Sequence, residues 1–573
     1  MPITKVSGDN QSGTAGTALS NPFVVKVTKN NGRPAGGITV NFAATSGGGS
    51  VLPARAVTDN NGQASTKLTL GPVAGANTVS ATDSAGKVTF TATATATVPA
   101  ATDSWQLLSY NCPINPIHAV LMRTGKVFFV AGSGNNPNNV NDTDGSAVWD
   151  VGAGTFSQPV TPVDTAGFPL DLFCGAHSFL PDGRLMFAGG TLRYDPFYGS
   201  PAALLFDPST QQWTKKASMN SGRWYPTVIT LGDGKILALS GTDDYGVLDR
   251  YPEIYNPATD SWSAFTQQTS PFDLYAHFFL LQDSRVFYSG GYFTNNNGVY
   301  PRILTLPTNF TQPLTEQAVG GLQDADAGGQ AASVLLPPAQ DQKVMIMGGA
   351  NGYNGYATSR VNIVDLKAAT PTYTPAAPLN FARMHHNAVL LPDRTVFVCN
   401  GSAHGEDGNV ATRVPEIYNP ATNTWTRVAT AQVTRLYHAV ALLLPDGRVV
   451  AAGGNPDRGI EERRLEIYSP AYMQKPRPEI TSTSQTVSYG GTITISTPQV
   501  ADIKWVNLIK PMATTHCLET DQRLVDVPIT ARTSTSVNAT VTTNRNIATP
   551  GWYMMSITDN NNVPSQAKWI QLT

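Results

Sequence analysis

Short apolar segments that end in small residues recur through the middle of the chain, each after a turn such as PDG or GDG. Several are followed by a second motif of the type EIYNPATDSW (253–262) or EIYNPATNTW (416–425). The segments lie about 50 to 60 residues apart, and a period near 50 with four short strands per unit is typical of a β-propeller. The seven copies are VFFVAG (127–132), LMFAGG (185–190), ILALSG (236–241), VFYSGG (286–291), VMIMGG (344–349), VFVCNG (396–401) and VVAAGG (449–454).

Alternating apolar and polar residues, interrupted by Gly- and Asn-rich turns, continue on both sides of these repeats. Residues 1–98 contain segments such as FVVKVTK, ITVNFAAT and STKLTL, which predict a small β-sandwich. Residues 475–573 have the same pattern and predict a second sandwich. The expected fold is therefore all-β, with a seven-bladed kelch-type propeller over 99–474 between two immunoglobulin-like sandwiches.

Composition narrows the possible partners and location of the 573-residue chain. A formal net charge of -2 and a charged fraction of 14% give no sign of a nucleic-acid or membrane-surface partner. No apolar run approaches the ~18 residues that span a bilayer. Abundant Gly, Asn, Thr, Ser and Pro, with few Lys and Glu, are typical of an exported all-β protein, secreted or at the cell surface. MPITKVSGDN has no features of a signal peptide, so we expect either a mature chain with an added Met1 or another export route.

One register of the repeat collects residues with redox chemistry. Nine positions before the glycine of each turn, or the residue in its place, stand Cys174, Tyr225, Tyr275, His385 and His438. Residues in equal register of a propeller converge at one mouth of the channel. We therefore expect Cys174 beside Tyr225, from neighbouring blades, with His438 across the channel.

Two features favour a metal site in this column. Tyr437 precedes His438 in RLYHAV, at a strand start where both side chains can turn to the axis. Imidazole with phenolate oxygen suits Cu(II), whereas calcium requires carboxylate and carbonyl oxygens. A structural interpretation stays open, because several of the eight histidines precede an apolar strand in the same way, as in HAVLM, HSFLP and HFFLL.

If Cys174 is committed elsewhere, Cys112, Cys399 and Cys517 can form at most one disulfide.

Four motifs resemble the copper radical oxidases, the family of galactose oxidase and glyoxal oxidase. They are FCGAHSF around Cys174, SGRWYPT around Tyr225, RLYHAV around Tyr437 and His438, and ATTHCLETDQR around His516. The resemblance implies that Tyr225, Tyr437, His438 and His516 bind one copper ion. It also implies a thioether bond between Cys174 and Tyr225, which forms a protein-derived radical cofactor, and a loop of the C-terminal domain that delivers His516 to the propeller axis.

The implied reaction is oxidation of a primary alcohol, or of a small aldehyde as its hydrate, by O2 with release of H2O2. In it, Tyr437 accepts the substrate proton and Tyr225 removes a hydrogen atom; no organic cofactor is implied. Two departures bear on the substrate. The segment 241–255 has no Trp to cover the thioether, which leaves Trp224, Phe197 and Tyr198 as candidates. The segment 272–279 has no Arg to hold sugar hydroxyls, so we do not expect galactose as the substrate.

The N-terminal segment resembles a bacterial immunoglobulin-like repeat of the invasin and intimin type, through SGDNQSGTAGTALSNPFVVKV and TDNNGQASTKLTLG. This implies a spacer or cell-surface stalk; a folding or solubility appendage is the alternative. Two other functions stay open for the propeller. One is a non-catalytic, glycan-binding or adhesive surface protein. The other is a hydrolase such as a sialidase, which requires paired carboxylates, although the column contains no Asp or Glu.

Overall fold

The structure is a computed structural model that describes residues 1–71, 74–84, 86–95, 103–134, 136, 138, 145–194, 197–293, 300–456 and 460–573. The chain divides into two compact units, Met1–Thr102 and Asp103–Thr573. The boundary predicted between residues 98 and 99 lies outside the described residues. No helix in the described ranges is long and apolar enough to cross a membrane.

The first unit consists of two sheets around an apolar core. Alternation places Val25, Val40 and Val79 in that core, as expected for strands with one buried face. One sheet has the order Ile3–Ser7, Phe23–Val27, Gln63–Thr69, Ser50–Leu52. The other has the order Gln11–Thr14, Lys87–Thr95, Gly75–Thr82, Thr39–Ser46, Arg55–Val57, with only its first pair parallel.

The second unit begins with seven four-stranded antiparallel blades, which confirms the predicted all-β propeller. The strand Ser104–Asn111 pairs with Arg464–Ser469, so the two ends of the propeller segment share one blade and close the ring. In order, the blades are His118–Leu121, Val127–Val130, Ser146–Asp150, Thr155–Ser157; Gly175–Phe179, Leu185–Gly189, Ala203–Asp207, Gln212–Lys215; Thr227–Thr230, Ile236–Leu239, Glu253–Asn256, Ser261–Ala264; Phe278–Leu280, Val286–Tyr288, Arg302–Thr305, Thr315–Ala318; Ala332–Leu335, Lys343–Met347, Val361–Asp365, Tyr373–Pro375; Asn387–Leu390, Val396–Cys399, Glu416–Asn419, Thr424–Arg427; and Ala439–Leu443, Val449–Gly453, Arg464–Ser469, Ser104–Asn111.

A buried arginine fixes the start of the inner strand in three blades. Each guanidinium pairs with a buried glutamate of the third strand and donates to a carbonyl at the end of the second strand. Because all its partners are buried, removal of one member would leave an uncompensated charge, at a cost of about 3–5 kcal/mol. The three sets are Arg223 with Glu253 (3.1 Å) and Ser240 O (2.8 Å), Arg383 with Glu416 (2.8 Å) and Asn400 O (3.2 Å), and Arg435 with Glu466 (3.6 Å) and Gly453 O (2.8 Å).

The C-terminal region forms a second sandwich, as predicted. Its first sheet has the order Ser482–Thr483, Thr492–Ser496, Ser536–Thr540, Ile529–Arg532. Its second sheet has the order Thr486–Val487, Lys568–Leu572, Gly551–Asp559, Ile503–Ile509, Leu524–Asp526. Short extra elements are the strand pair Thr191–Arg193 and Tyr198–Gly199, and the 3-10 helices Ala325–Gly328, Ala339–Asp341, Gly408–Val410, Ala471–Gln474 and Val500–Asp502.

One hairpin of the C-terminal region joins the propeller. Ala513–Thr515 pairs with the inner strand of the first blade, and Leu518–Glu519 extends that sheet to six strands. The Glu519 carboxylate accepts from the backbone N–H of Ala513 at 2.8 Å and closes the hairpin. Asp521 then accepts from the N–H of Phe179 in the second blade at 2.9 Å. The turn of this hairpin is thereby held at the propeller channel.

Candidate active site

The five residues of the repeated register share one backbone conformation. Cys174, Tyr225, Tyr275, His385 and His438 have φ of 62°, 60°, 49°, 60° and 66°. This left-handed region is uncommon for residues other than glycine, and its use clusters at functional sites. Backbone hydrogen bonds link the first three, from Tyr225 N to Cys174 O at 2.8 Å and from Tyr275 N to Tyr225 O at 2.9 Å. Their side chains therefore start from adjacent, equivalent points around the channel.

The fifth blade has a member of this column that counting along the sequence misses. Gln330 has φ of 56° and is fully buried, and the N–H of His385 donates to its carbonyl at 3.2 Å. The turn equivalent is Gln342, from which a count of nine residues reaches Ser333. The 3-10 helix Ala339–Asp341 inserts three residues before the turn and shifts the register.

The Tyr225 ring is covered on both faces. Trp224 stacks on it at 4.0 Å with an interplanar angle of 4°, and Tyr275 stacks at 4.4 Å and 21°. Phe197 extends the stack outward, at 4.3 Å from Trp224. Tyr198 lies apart, with the Arg193 guanidinium carbon 3.9 Å from its ring, and has no ring contact with Tyr225 in the described part of the chain. Two of the three candidate covering rings therefore belong to the stack.

The Cys174 thiol lies against the Tyr225 phenol. Both side chains are buried, with 0% and 1% exposure, and each shifts the pKa of the other. The backbone N–H of Tyr225 also donates to the Cys174 carbonyl at 2.8 Å. Burial raises the pKa of the Cys174 thiol well above its ordinary value, the neighbouring Tyr225 phenol opposes that change, and the Asp171 charge adds to it. The two groups that a thioether would join are therefore neighbours in the buried site.

Two phenols and two imidazoles meet at the end of this stack. The hydroxyls of Tyr225 and Tyr437 are hydrogen-bonded, and the Tyr225 hydroxyl lies 3.2 Å from Nε2 of His516. The ring of His438 stacks on Tyr437 at 3.7 Å and lies 4.7 Å from the ring of His516. All four side chains are at least nine-tenths buried. The structure thus brings together a phenol pair and an imidazole pair from three separate parts of the chain.

Each imidazole is hydrogen-bonded at Nδ1 to a neighbouring polar side chain, which fixes the direction of its Nε2. Nδ1 of His438 is 2.7 Å from Oδ1 of Asn455, and Nδ1 of His516 is 2.7 Å from Oγ1 of Thr515. Nε2 of His438 is buried and has no hydrogen-bond partner among the described residues. A metal-binding histidine usually has such a polar partner on the ring nitrogen that does not bind the metal, here Nδ1.

The protonation states of these groups fit a metal site. Burial lowers the pKa of His438 to about 3 and that of His516 well below its ordinary value, so both imidazoles are neutral at pH 7, as ligation requires. Burial also raises the pKa of Tyr225 and Tyr437 well above 10, so a bound cation is needed to ionise these phenols. No group of three or more His, Cys, Asp or Glu in the described residues could hold a metal. The donors that meet here are two imidazoles and two phenols.

Phe293 is a site residue that sequence reasoning gives no signal for. Its ring lies 4.7 Å from that of Tyr225, 5.3 Å from Tyr437 and 5.4 Å from His516. It follows the small residues of the fourth blade's second strand, in an irregular segment outside the repeated register. His385, which is in the register, lies 5.6 Å from Tyr437 and has no partner for Nε2 within the described ranges.

The other three cysteines lie outside this cluster. Cys112, Cys399 and Cys517 are buried and unpaired, and burial raises the pKa of each thiol to about 12. Cys517 follows His516 in the hairpin turn, and its thiol faces the Gln330 carbonyl at 3.4 Å. Cys174 differs from these three because it alone of the cysteines is among the groups that raise the pKa of Tyr225.

Asn455 is a second residue that the sequence does not mark, and it is open to test. Asn455→Ala removes the acceptor for Nδ1 of His438, so the imidazole loses its fixed orientation. We expect copper affinity to fall about 10- to 100-fold, the usual effect of losing such a support. Competition with a chromogenic chelator measures it. Asn455→Asp keeps the acceptor oxygen and should restore most of the affinity; equal loss in both variants would contradict the orienting role.

Comparison with protein families finds two matches along the second unit. The profile "Glyoxal oxidase N-terminus" matches residues 160–472, more than half of the chain, and "Galactose oxidase-like, Early set domain" matches residues 477–572. All five clustered side chains, from Cys174 to His516, fall within these two matches.

Individual relatives agree with these families. Galactose oxidase of Gibberella zeae is 28% identical over 458 residues, which cover 74% of this chain but only 64% of that protein. Aldehyde oxidase GLOX of Vitis pseudoreticulata is 26% identical over 443 residues, covering 70% of this chain and 82% of that protein. A solved structure described as a novel fungal alcohol oxidase of the AA5 family, in complex with copper, has a TM-score of 0.70 at 23% identity; it covers 82% of this chain and 100% of its own, and shows likeness of fold.

Proposed function

The chain belongs to the glyoxal oxidase family, and from this premise we propose that it is a copper radical oxidase. The proposed reaction converts a primary alcohol and O2 into an aldehyde and H2O2, or an aldehyde hydrate and O2 into a carboxylic acid and H2O2. One observation carries the proposal: a buried thiol lies beside a buried phenol whose oxygen is hydrogen-bonded to a second phenol and to an imidazole.

Four residues would hold the copper ion. Nε2 of His438 and His516 and the oxygens of Tyr225 and Tyr437 form a nitrogen and oxygen donor set that suits Cu(II). When bound, copper supplies one of the two oxidising equivalents that alcohol oxidation requires and polarises the substrate oxygen. The second equivalent must come from the protein.

Tyr225 is the residue suited to supply it. A thioether from Cys174 would place an electron-rich sulfur on the ring, which makes the phenol easier to oxidise to a radical. The Trp224 and Tyr275 rings cover both faces at 4.0 and 4.4 Å and keep water from it. In this proposal Tyr225 removes a hydrogen atom from the substrate carbon, while Tyr437 accepts the hydroxyl proton as general base.

The substrate class is a small alcohol or aldehyde rather than a hexose. The segment 272–279 contains no arginine. The nearby Arg302 is fully buried and pairs with Glu316 at 2.7 Å, so its charge is already committed. These observations favour substrates that need no cation for their hydroxyl groups.

Copper loading tests the proposed function directly. Under O2 the loaded chain should lose two hydrogen atoms in intact-mass analysis, and digestion should yield one cross-linked peptide pair that contains Cys174 and Tyr225. A panel of primary alcohols and aldehydes should then give peroxide, with the copper-free chain as control. An unchanged mass together with no peroxide from any member of the panel would overturn the proposal.

We also propose that the protein is secreted or exposed at the cell surface. Its composition, rich in Gly, Asn, Thr, Ser and Pro, supports a secreted or surface-exposed chain in which the first unit acts as a spacer. Fractionation of the native producing cell with an antibody to the second unit would test this. Recovery in the cytosol alone would contradict it.

A further inference from the structure

Two residues of the repeated register have buried polar atoms that pair with nothing in the described part of the chain. Gln330 is fully buried, and neither Nε2 nor Oε1 of its amide has a hydrogen-bond partner there. His385 is 3% exposed, and its Nε2 is also without a partner. By contrast, the hydroxyl of Tyr275 in the preceding blade donates to the Gly175 carbonyl at 2.7 Å. Because an unpaired buried polar group is costly, the three atoms of Gln330 and His385 are expected to have a bound partner.

Gln330 and His385 follow one another around the channel beside the proposed reaction centre. They start from equivalent points of the fifth and sixth blades, with φ of 56° and 60°, and the N–H of His385 donates to the Gln330 carbonyl at 3.2 Å. The seventh blade follows and carries Tyr437, whose ring lies 5.6 Å from that of His385. A substrate held at Tyr437 would therefore have this pair along one wall of its pocket.

Backbone contacts hold this wall in place. The N–H of Gln330 donates to the Tyr292 carbonyl at 2.6 Å. The Gln330 carbonyl also faces the Cys517 thiol at 3.4 Å, so the wall adjoins the hairpin turn that carries His516. The two polar side chains thus have fixed starting points relative to the copper donors, which is what selectivity requires.

The donors and acceptors of this wall suit an uncharged oxygen. A glutamine amide has two N–H donors and one acceptor oxygen, and a neutral imidazole nitrogen either donates or accepts. Burial lowers the pKa of His385 to about 3, so this imidazole is neutral at pH 7. A hydroxyl group both donates and accepts, so one hydroxyl can pair with both side chains. A methyl group in its place would leave both unpaired.

We propose that Gln330 and His385 bind a second oxygen of the substrate, next to the hydroxyl that reacts, and so favour 1,2-diols and hydrated aldehydes over alcohols with an alkyl tail. The inference rests on the proposed oxidase function and deepens it, because it names residues that select the substrate. A site built to hydrogen-bond a substrate hydroxyl rejects the analogue without it far more strongly than an apolar pocket can. An ordered water in this place would pair with the same atoms without selecting between these substrates.

Ethylene glycol and 1-propanol provide the test, because they differ only by a hydroxyl in place of a methyl group. With the copper-loaded chain, we expect kcat/KM to be at least about 10-fold higher for ethylene glycol. Gln330→Met and His385→Phe remove the polar atoms while filling similar space. Each should lower this ratio about 10-fold, mainly by raising KM for ethylene glycol. His385→Gln places an amide nitrogen near the position of Nε2 and should keep much of the preference.

Two controls exclude a purely structural role. Copper affinity from chelator competition, and kcat/KM for 1-propanol, should stay near the wild-type values in Gln330→Met and His385→Phe. Gln317→Met alters an exposed residue of an outer strand and should leave the substrate ratio unchanged.

The outcomes separate this inference from the proposed function. Equal kcat/KM for the two alcohols, or an unchanged ratio in both Gln330→Met and His385→Phe, would overturn the second-oxygen subsite and leave the oxidase standing. Peroxide from no alcohol or aldehyde would overturn the oxidase and the subsite with it. If neither variant folds, the wild-type chain still decides, since equal kcat/KM for the two alcohols contradicts the subsite.

Discussion

Cys174→Ser should keep its copper and lose most of its turnover, on the order of 100-fold or more in kcat. Serine nearly matches the volume of cysteine, so the fully buried position and its backbone hydrogen bond from Tyr225 can persist. It cannot form a thioether, and the unmodified Tyr225 phenol is harder to oxidise. The expected result is therefore a folded, metal-loaded protein whose radical step has become slow.

Four measurements on that variant separate chemistry from structure. Bound copper and the thermal unfolding midpoint should stay near the wild-type values, while peroxide production falls and the cross-linked peptide disappears. Cys112→Ser is the matched control, because Cys112 is also buried and unpaired but lies outside the cluster. Full activity of Cys174→Ser would contradict a radical on a thioether-linked Tyr225.

The register of the propeller could be predicted from sequence because local chemistry determines it. Asp-Gly turns fix where each hairpin reverses, and continuous apolar runs mark second strands that are buried on both faces. The spacing from turn to strand start then repeats, so Cys174, Tyr225 and His438 could be placed in one column before any coordinates. These residues share a left-handed φ because they occupy equivalent backbone positions in their blades.

Other site residues could not be found in this way, for two physical reasons. An insertion breaks the count, as the three-residue helix Ala339–Asp341 does for Gln330. Tertiary packing also selects residues that obey no period, such as Phe293 and Asn455. In the first unit, short strands with mostly exposed residues, such as Ser50–Leu52 and Arg55–Val57, carry too little alternation to be recognised.

The pairing of the C-terminal hairpin with the first blade is the feature of the site that local sequence patterns predict least. Thr515 lies opposite His118 in a ladder that joins residues almost four hundred positions apart. No sequence period relates them. Only the resemblance to a family implied that His516 reaches the axis, and the ladder gives the physical means: backbone hydrogen bonds and the Glu519 carboxylate fix the turn that carries it.

His516→Ala should weaken copper binding by about 100-fold or more, a larger effect than the loss of a supporting hydrogen bond. The substitution removes one of the two neutral imidazoles of the site. In the unmodified chain Nε2 of His516 lies 3.2 Å from the Tyr225 hydroxyl. The hairpin should remain, because its ladder to the first blade and its bonds to Glu519 do not involve the imidazole. Chelator competition measures the affinity, and the unfolding midpoint of the copper-free chain reports on the hairpin.

The matched control for this variant is His404→Ala. It removes an imidazole that lines a cavity beside Tyr353 and does not belong to the donor set. Copper affinity should therefore be retained. Glu519→Ala tests the same idea from the other side, since it leaves the imidazole intact but removes the carboxylate that closes the hairpin. If His516→Ala binds copper as tightly as the wild type, the hairpin turn supplies no ligand. If Glu519→Ala weakens binding while His516→Ala does not, the hairpin acts by shaping the channel instead.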